Sequence, residues 1–111
     1  MQSPTHSTLP ITLLAAGFLA FAHPAGAEEL DGAKLFVTKT CVACHGKDAK
    51  TPIMPIYPKL AGQSADYAFN QMNDIKSGAR NNGQTAAMKG VMHLVNEAEM
   101  RAIAQWLASL Q

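Results

Sequence analysis

Both cysteines of this chain lie in one pentapeptide, Cys41-Val42-Ala43-Cys44-His45, and this motif constrains the fold more than any other feature. The sequence C-x-x-C-H is the attachment motif of c-type haem, in which each thiol adds to a haem vinyl group and the histidine can reach the iron. The motif therefore predicts one covalent haem c, attached to Cys41 and Cys44, with His45 as an iron ligand. Such a chain folds around its cofactor.

Two other functions of the same residues stay open at this point. A thiol–disulfide exchange site is typical of a βαβ fold, but the chain has almost no β-branched alternation that would predict strands. A structural zinc site needs four cysteine or histidine ligands. After residue 27 the chain offers Cys41, Cys44, His45 and His93. Both alternatives are weaker than haem attachment.

The first 27 residues predict a cleaved secretory signal peptide. Residues 11–22 form an uncharged apolar run, and Ala25-Gly26-Ala27 follows as a small-x-small cleavage pattern. Twelve helical residues span about 18 Å, short of a hydrocarbon core of about 30 Å, so a transmembrane helix is the weaker alternative. Residues 1–10 contain no lysine or arginine, so an uncleaved anchor stays open. We expect a periplasmic protein that touches the membrane only if this segment is retained.

Residues 28–111 are expected to form a single domain of 84 residues. A domain of this size is marginal on packing alone, so a cofactor at the two cysteines is the expected stabiliser. A net charge of +1 provides no basic surface for nucleic acid, and the chain is too short for a two-domain nucleotide enzyme. No second C-x-x-C-H motif is present, so one haem is predicted.

The first of three predicted helices covers about residues 29–38. Ala33, Phe36 and Val37 recur there at helical spacing. Gly32 lies one turn before Phe36 and has no side chain to hold a second helix away. A close helix crossing is therefore expected at this glycine.

The other two predicted helices have recognisable ends. Ser64 is the predicted N-cap of a helix over residues 65–77, which Gly78 ends. Asn96 is predicted to cap the last helix, with Glu99 as its capping-box partner. The apolar face of that last helix comprises Met100, Ile103, Ala104, Leu107 and Leu110.

Residues 46–63 are predicted to form an extended loop between the haem motif and the second helix. Pro52, Pro55 and Pro58 fix φ there and remove backbone donors. A flat buried cofactor would give this loop a surface on which to pack.

The ligand on the other side of the iron decides between an electron carrier and a site open to other ligands. Met72 and Met100 lie on apolar stripes of predicted helices, so we assign them to the core. Met54 follows the motif so closely that the chain would have to wrap the haem edge at once, which the prolines disfavour. Met88 and Met92, both ahead of the last helix, remain as candidates.

Four segments of the chain resemble the class I c-type cytochromes, and within them the cytochrome c-four type, which usually has two such domains in tandem. These segments are Cys41-Val42-Ala43-Cys44-His45-Gly46, Tyr57-Pro58-Lys59-Leu60-Ala61-Gly62-Gln63, Gln71-Met72-Asn73-Asp74-Ile75-Lys76-Ser77-Gly78 and the closing helix with Trp106. The resemblance implies a small all-α class I cytochrome c fold, in which three main helices and their loops surround one haem.

The resemblance also assigns individual residues. The family's axial methionine stands eight residues before the polar cap of the last helix, and Met88 stands eight before Asn96. The family further implies that the Pro58 carbonyl accepts a hydrogen bond from the His45 ring, which fixes the tautomer of that ligand. The resemblance also places Gly32 where the first helix crosses the last helix.

The function that the resemblance implies is single-electron transfer without catalysis. Together with the predicted export, we expect a monomer in the periplasm. Its partners would be larger redox proteins, such as a dehydrogenase, a reductase or an oxidase, in transient complexes. Two alternatives stay open: a haem subunit of a larger oxidoreductase complex, and a haem sensor or enzyme in which Met88 dissociates or His93 replaces it.

Overall fold

The computed structural model describes residues 3–4, 8–20 and 29–111. In these residues the chain forms five α-helices and no strand, which confirms the predicted all-α fold class. The helices are α1 (Gly32–Thr38), α2 (Val42–His45), α3 (Ala65–Ser77), α4 (Thr85–Met92) and α5 (Glu97–Ser109). The three predicted helices are α1, α3 and α5, while α2 and α4 were not predicted.

Helix α1 begins at Gly32, so the prediction of a start near residue 29 was wrong. Asp31 has an extended backbone, and its carboxylate accepts a hydrogen bond from the Lys34 N–H at 3.0 Å, which makes it the N-cap. Phe36 is buried, but Val37 is 57% exposed and does not belong to the buried face. Adjacent helical residues point about 100° apart, so both cannot face the same partner.

The predicted caps of α3 and α5 are confirmed. Ser64 accepts a hydrogen bond from the Tyr67 N–H, and Gly78 ends α3 with a left-handed φ of 88°. At α5 the Asn96 side chain accepts from the Glu99 N–H at 2.9 Å, while the Glu99 carboxylate accepts from the Asn96 N–H at 3.0 Å. This reciprocal pair satisfies donors that a bare helix start leaves unpaired.

The core lies where α5 packs against α1 and α3, with α4 packed on α3. A Cβ added to Gly32 would collide with the Ala102 carbonyl oxygen on α5, so the predicted close crossing is confirmed. At this crossing the ring centroids of Phe36 and Trp106 lie 4.9 Å apart. The largest fully buried side chains are Phe36, Met92, Met100, Ile103 and Val95.

The apolar N-terminal run has no helix or strand over residues 8–20. Its large side chains are exposed, as Phe18 illustrates. The predicted cleavage pattern at residues 25–27 lies outside the described residues. Within the described ranges, no helix has the length and apolar character needed to cross a membrane.

Candidate haem site

The haem motif occupies a single helical turn directly after α1. Thr40 adopts a left-handed backbone with φ 68°, which turns the chain out of α1 and into α2. The His45 N–H donates to the Cys41 carbonyl at 3.0 Å, closing the turn. Because residues three and four apart share a helix face, this turn brings Cys41, Cys44 and His45 to one side.

The loop that follows the motif folds back on itself. Gly46 has a φ of 80°, and a Cβ there would collide with the Thr51 carbonyl oxygen, so the position requires glycine. Ala49 is fully buried, and its carbonyl accepts a hydrogen bond from the Leu60 N–H at 2.9 Å. This contact draws the end of the proline-containing loop back toward α2 and places Pro58 beside the histidine.

His45 is buried, and its Nδ1 lies 2.9 Å from the Pro58 carbonyl oxygen. A carbonyl oxygen only accepts, so Nδ1 carries the proton and donates, which leaves the lone pair of Nε2 free for a metal. Burial lowers the pKa of His45 below its ordinary value, and the Pro58 contact opposes that shift in part. A neutral, oriented imidazole is the form that binds iron.

The two cysteines are not paired with each other. Cys41 is buried and Cys44 is partly exposed. Burial raises the pKa of the Cys41 thiol to about 11, and the nearby Cys44 adds to the shift. Thiol–disulfide exchange needs a thiolate near neutral pH, so the buried Cys41 is poorly suited to it, whereas burial suits a thiol that ends in a thioether.

A zinc site finds no support in the described residues. There, no three histidine, cysteine, aspartate or glutamate side chains form a group that could hold a metal ion. His93 is exposed at the C-terminal end of α4. The four residues that a zinc site would need are therefore not assembled.

The methionines differ in their burial. Met72, Met92 and Met100 are buried in the core, where they pack against other apolar side chains. Met54 is 48% exposed in the loop after the haem motif. Met88 is half-buried on α4 and packs against the edge of the core. Among the methionines that the structure describes, Met88 alone combines a position on a packed helix with a side chain that is not enclosed by the core.

Local hydrogen bonding at Asp48 is a feature that the sequence analysis missed. The Asp48 carboxylate accepts from the backbone N–H groups of Lys50 and Thr51, at 2.9 and 2.8 Å, and from the Thr51 hydroxyl at 3.0 Å. These bonds, first that of Lys50, hold the pKa of Asp48 below its ordinary value. An aspartate followed closely by a threonine is the signal that could have predicted this turn.

Comparison with known families decides between haem, zinc and thiol chemistry. Residues 30–111 match the family model described as cytochrome c. The chain belongs to the cytochrome c family. Its members are electron-transfer proteins that carry a covalently bound haem c, so the predicted cofactor is confirmed at the level of the family. The buried imidazole, the unpaired cysteines and the half-buried Met88 of this cytochrome fit that cofactor.

Individual relatives support the same assignment. This cytochrome is 39% identical over 97 residues to cytochrome c4 of Pseudomonas aeruginosa. The alignment covers 87% of this chain and 45% of that protein. It is 37% identical over 70 residues to cytochrome c-554(548) of Halomonas halodenitrificans, covering 63% of this chain and 83% of that protein. The predicted resemblance to the cytochrome c-four type is confirmed, although the chain spans about half the length of the cytochromes c4 it matches.

A third relative has a name that states a partner. This cytochrome is 31% identical over 102 residues to a protein of Stutzerimonas stutzeri named thiosulfate dehydrogenase electron acceptor. The alignment covers 86% of this chain and 46% of that protein.

Proposed function

We propose that this protein is a periplasmic carrier of single electrons, built from one domain over residues 28–111. Cys41 and Cys44 attach one haem c, and His45 and Met88 are its axial iron ligands. The observation that carries this proposal is the convergence of the two cysteines and a buried, oriented histidine on one helical turn of a cytochrome c family chain. When bound, the haem supplies an iron that takes up and releases one electron.

The role proposed for His45 rests on its contact with Pro58. The hydrogen bond from Nδ1 holds the imidazole in one tautomer and one orientation, so Nε2 is ready to bind without reorganisation. An imidazole whose Nδ1–H is hydrogen-bonded also donates electron density to a metal more strongly through Nε2. Pro58 therefore acts through His45, without touching the iron itself.

The role proposed for Met88 rests on the arrangement of α4. This helix packs on α3 and buries Met92 completely, so its position in the fold is fixed. Met88 lies one turn earlier on the same helix and is only half-buried. Met88 lies on a packed helix, and His45 is buried and held by Pro58. Little of the protein therefore has to move when the redox state changes, which favours fast electron transfer.

The loop at residues 53–57 is the proposed contact surface for redox partners. Ile53, Met54 and Ile56 are 63%, 48% and 55% exposed, and the Ile53 N–H donates to the Cys44 carbonyl, so this apolar surface adjoins the haem motif. Exposed apolar side chains next to a cofactor favour brief contact with a second protein. A net charge of +1 adds little electrostatic steering, so we propose transient complexes with a monomer.

The partners proposed are larger redox proteins, namely a dehydrogenase, a reductase or an oxidase. The relative named thiosulfate dehydrogenase electron acceptor favours a dehydrogenase as the electron donor. The second candidate function is that of a haem subunit bound stably to such an enzyme. Co-purification of the exported protein with a larger flavin, molybdenum or copper protein would favour that second candidate over a free carrier.

Export is proposed from the first 27 residues, with cleavage after Ala27. The mass of the protein recovered from the periplasm tests this proposal, because a cleaved chain begins at Glu28. A protein recovered from the membrane with residues 1–27 still attached would indicate an anchored carrier instead.

The proposed ligands are tested by the absorption spectrum of protein exported together with the haem-attachment machinery. We expect sharp c-type bands after reduction and the weak long-wavelength sulfur-to-iron band in the oxidised form. Haem bands without the sulfur band would exclude Met88 as the ligand and favour His93 or an open sensor site. A folded product with no haem would overturn the whole proposal.

A further inference from the structure

Two lysine ammonium groups lie at the C-terminal end of α4, the helix that carries Met88. Lys39, which directly follows α1, donates to the Leu94 carbonyl at 2.9 Å. Lys76, in the last turn of α3, donates to the Val95 carbonyl. Two elements far apart in sequence therefore hold adjacent carbonyls of one short segment.

That segment continues the winding of α4 beyond its last helical residue. The Leu94 N–H donates to the Val91 carbonyl at 2.9 Å, and the Val95 N–H donates to the Met92 carbonyl at 3.2 Å. The carbonyls of Leu94 and Val95 lie just beyond α4, in the turn that leads to α5. Lysine side chains are suited to satisfy them, because they supply both a donor and a positive charge.

The same segment is anchored on its other side by the core. Met92 and Val95 are 0% and 1% exposed. Lys39 also lies 3.2 Å from the Glu99 carboxylate, which caps α5. The end of α4 is thus held between buried side chains and two ammonium groups, one of which stands two residues before Cys41.

We propose that Lys39 and Lys76 are positioning residues that hold α4 so that Met88 stays on the haem iron. The inference rests on the proposed function, in which Met88 is the sixth ligand. A thioether is a weak donor to oxidised iron, so its occupancy depends on how firmly the protein holds it in place. Lys39 and Lys76 act on it through the backbone of residues 94–95 and touch neither the methionine nor the iron.

Loss of one ammonium group frees the C-terminal end of α4 on that side. The helix then opens locally more often, and Met88 leaves the iron for a larger fraction of the time. A charge-assisted hydrogen bond of ordinary strength corresponds to about a tenfold change in such an opening equilibrium. An external ligand that competes with Met88 should gain affinity by the same factor.

The test is a titration of the oxidised holoprotein with imidazole, followed by the loss of the sulfur-to-iron band. Lys76→Met keeps the aliphatic stem and removes the charge and the donor, so we expect imidazole to bind about tenfold more tightly. Lys76→Arg restores a charged donor and should return the affinity to that of the wild type. Lys39→Met should act in the same direction as Lys76→Met.

Two control variants separate positioning from a general loss of stability. Lys34→Met removes an exposed lysine of α1 and should leave imidazole affinity unchanged. Ile103→Val trims the buried face of α5 and lowers global stability without touching the lysines. It should lower the urea midpoint and leave imidazole affinity unchanged.

Two results overturn the inference while leaving the proposed function intact. The first is an imidazole affinity of Lys76→Met equal to that of the wild type. The second is an equal gain in imidazole affinity in Lys76→Met and Ile103→Val, which would show that Lys76 only stabilises the fold. A wild-type protein that lacks the sulfur band, and that Met88→Ala does not alter, overturns the ligand assignment and this inference together.

Discussion

Gly32 and Trp106 meet at the crossing of α1 and α5, where a Cβ on the glycine would stand 2.7 Å from the Trp106 Cβ. The carbonyl oxygen of Ala102 lies closer still to the same point. Phe36, one turn along α1, packs its ring against that of Trp106. The missing side chain at Gly32 therefore allows this aromatic contact and sets how closely the two helices approach.

Gly32→Ala is expected to destabilise the protein by about 3 kcal/mol. The new methyl group would meet a backbone carbonyl, which cannot rotate away as a flexible side chain could. Urea unfolding measures the change. Gly90→Ala is the matched control, because Gly90 lies within α4 with open space around it, and alanine should be neutral or stabilise by up to about 1 kcal/mol. Equal stability of the two variants would contradict the close crossing.

Met88→Ala is expected to leave the sixth iron position open. The oxidised protein should lose the sulfur-to-iron band and become high-spin, and the reduced protein should bind carbon monoxide, which a His/Met site resists. Absorption spectra before and after addition of carbon monoxide measure both effects. A variant that keeps the sulfur band would show that another methionine is the ligand.

Met92→Ala is the control for Met88→Ala, and the two variants should fail in different ways. Met92 is fully buried, so its truncation should cost about 2–5 kcal/mol of stability through the cavity that it leaves. The spectrum of the folded protein should nevertheless keep the sulfur-to-iron band. Met54→Ala and His93→Ala change exposed residues and should keep both stability and spectrum.

Cys41→Ala and Cys44→Ala should each leave at most one thioether and yield poorly matured protein. The double variant should release all haem on denaturation, since nothing then links the cofactor to the chain. Haem staining of a denaturing gel, compared with the total protein, measures the covalent fraction. A wild-type level of stained protein in the double variant would contradict attachment at these cysteines.

Glu99→Gln tests the charge at the start of α5. The hydrogen bond from the Asn96 N–H is the main reason that the pKa of Glu99 lies below its ordinary value of 4.5, and Lys39 adds to the shift. A carboxyl group with a lowered pKa in the folded state stabilises the protein above its unfolded pKa, and that stability is lost as the pH falls through the folded pKa. The wild type should therefore be more stable than Glu99→Gln at pH 7, by about 0.5–1 kcal/mol, and the difference should shrink at a pH below 4.5.

Urea unfolding at the two pH values measures this difference. Glutamine can still accept the capping-box hydrogen bond, so the comparison isolates the charge. A gap that persists unchanged at the lower pH would mean that the glutamate stabilises α5 through its shape and hydrogen bond alone.

Sequence reasoning was most successful where the structural cause is local. The caps at Ser64 and Asn96 depend on residues within four positions, and both are present. It failed at the start of α1, where the cap at Asp31 was overlooked, and at Val37, whose side chain is exposed. Helix α4 was not predicted, and its N-cap residue Gln84 provides no side-chain cap that would mark its start.

The sequence by itself determined the covalent chemistry, because the two cysteines and the histidine of the haem motif are contiguous and one helical turn brings them together. Only the tertiary structure decided the surroundings of these residues. The Pro58 carbonyl reaches His45 across 13 positions of the chain, and Lys76 reaches Val95 across 19. Their position ahead of the last helix left both Met88 and Met92 as candidates until the family resemblance selected Met88. The structure adds that packing buries Met92 and leaves Met88 half-buried. Such differences arise from contacts between distant segments, which no local pattern contains.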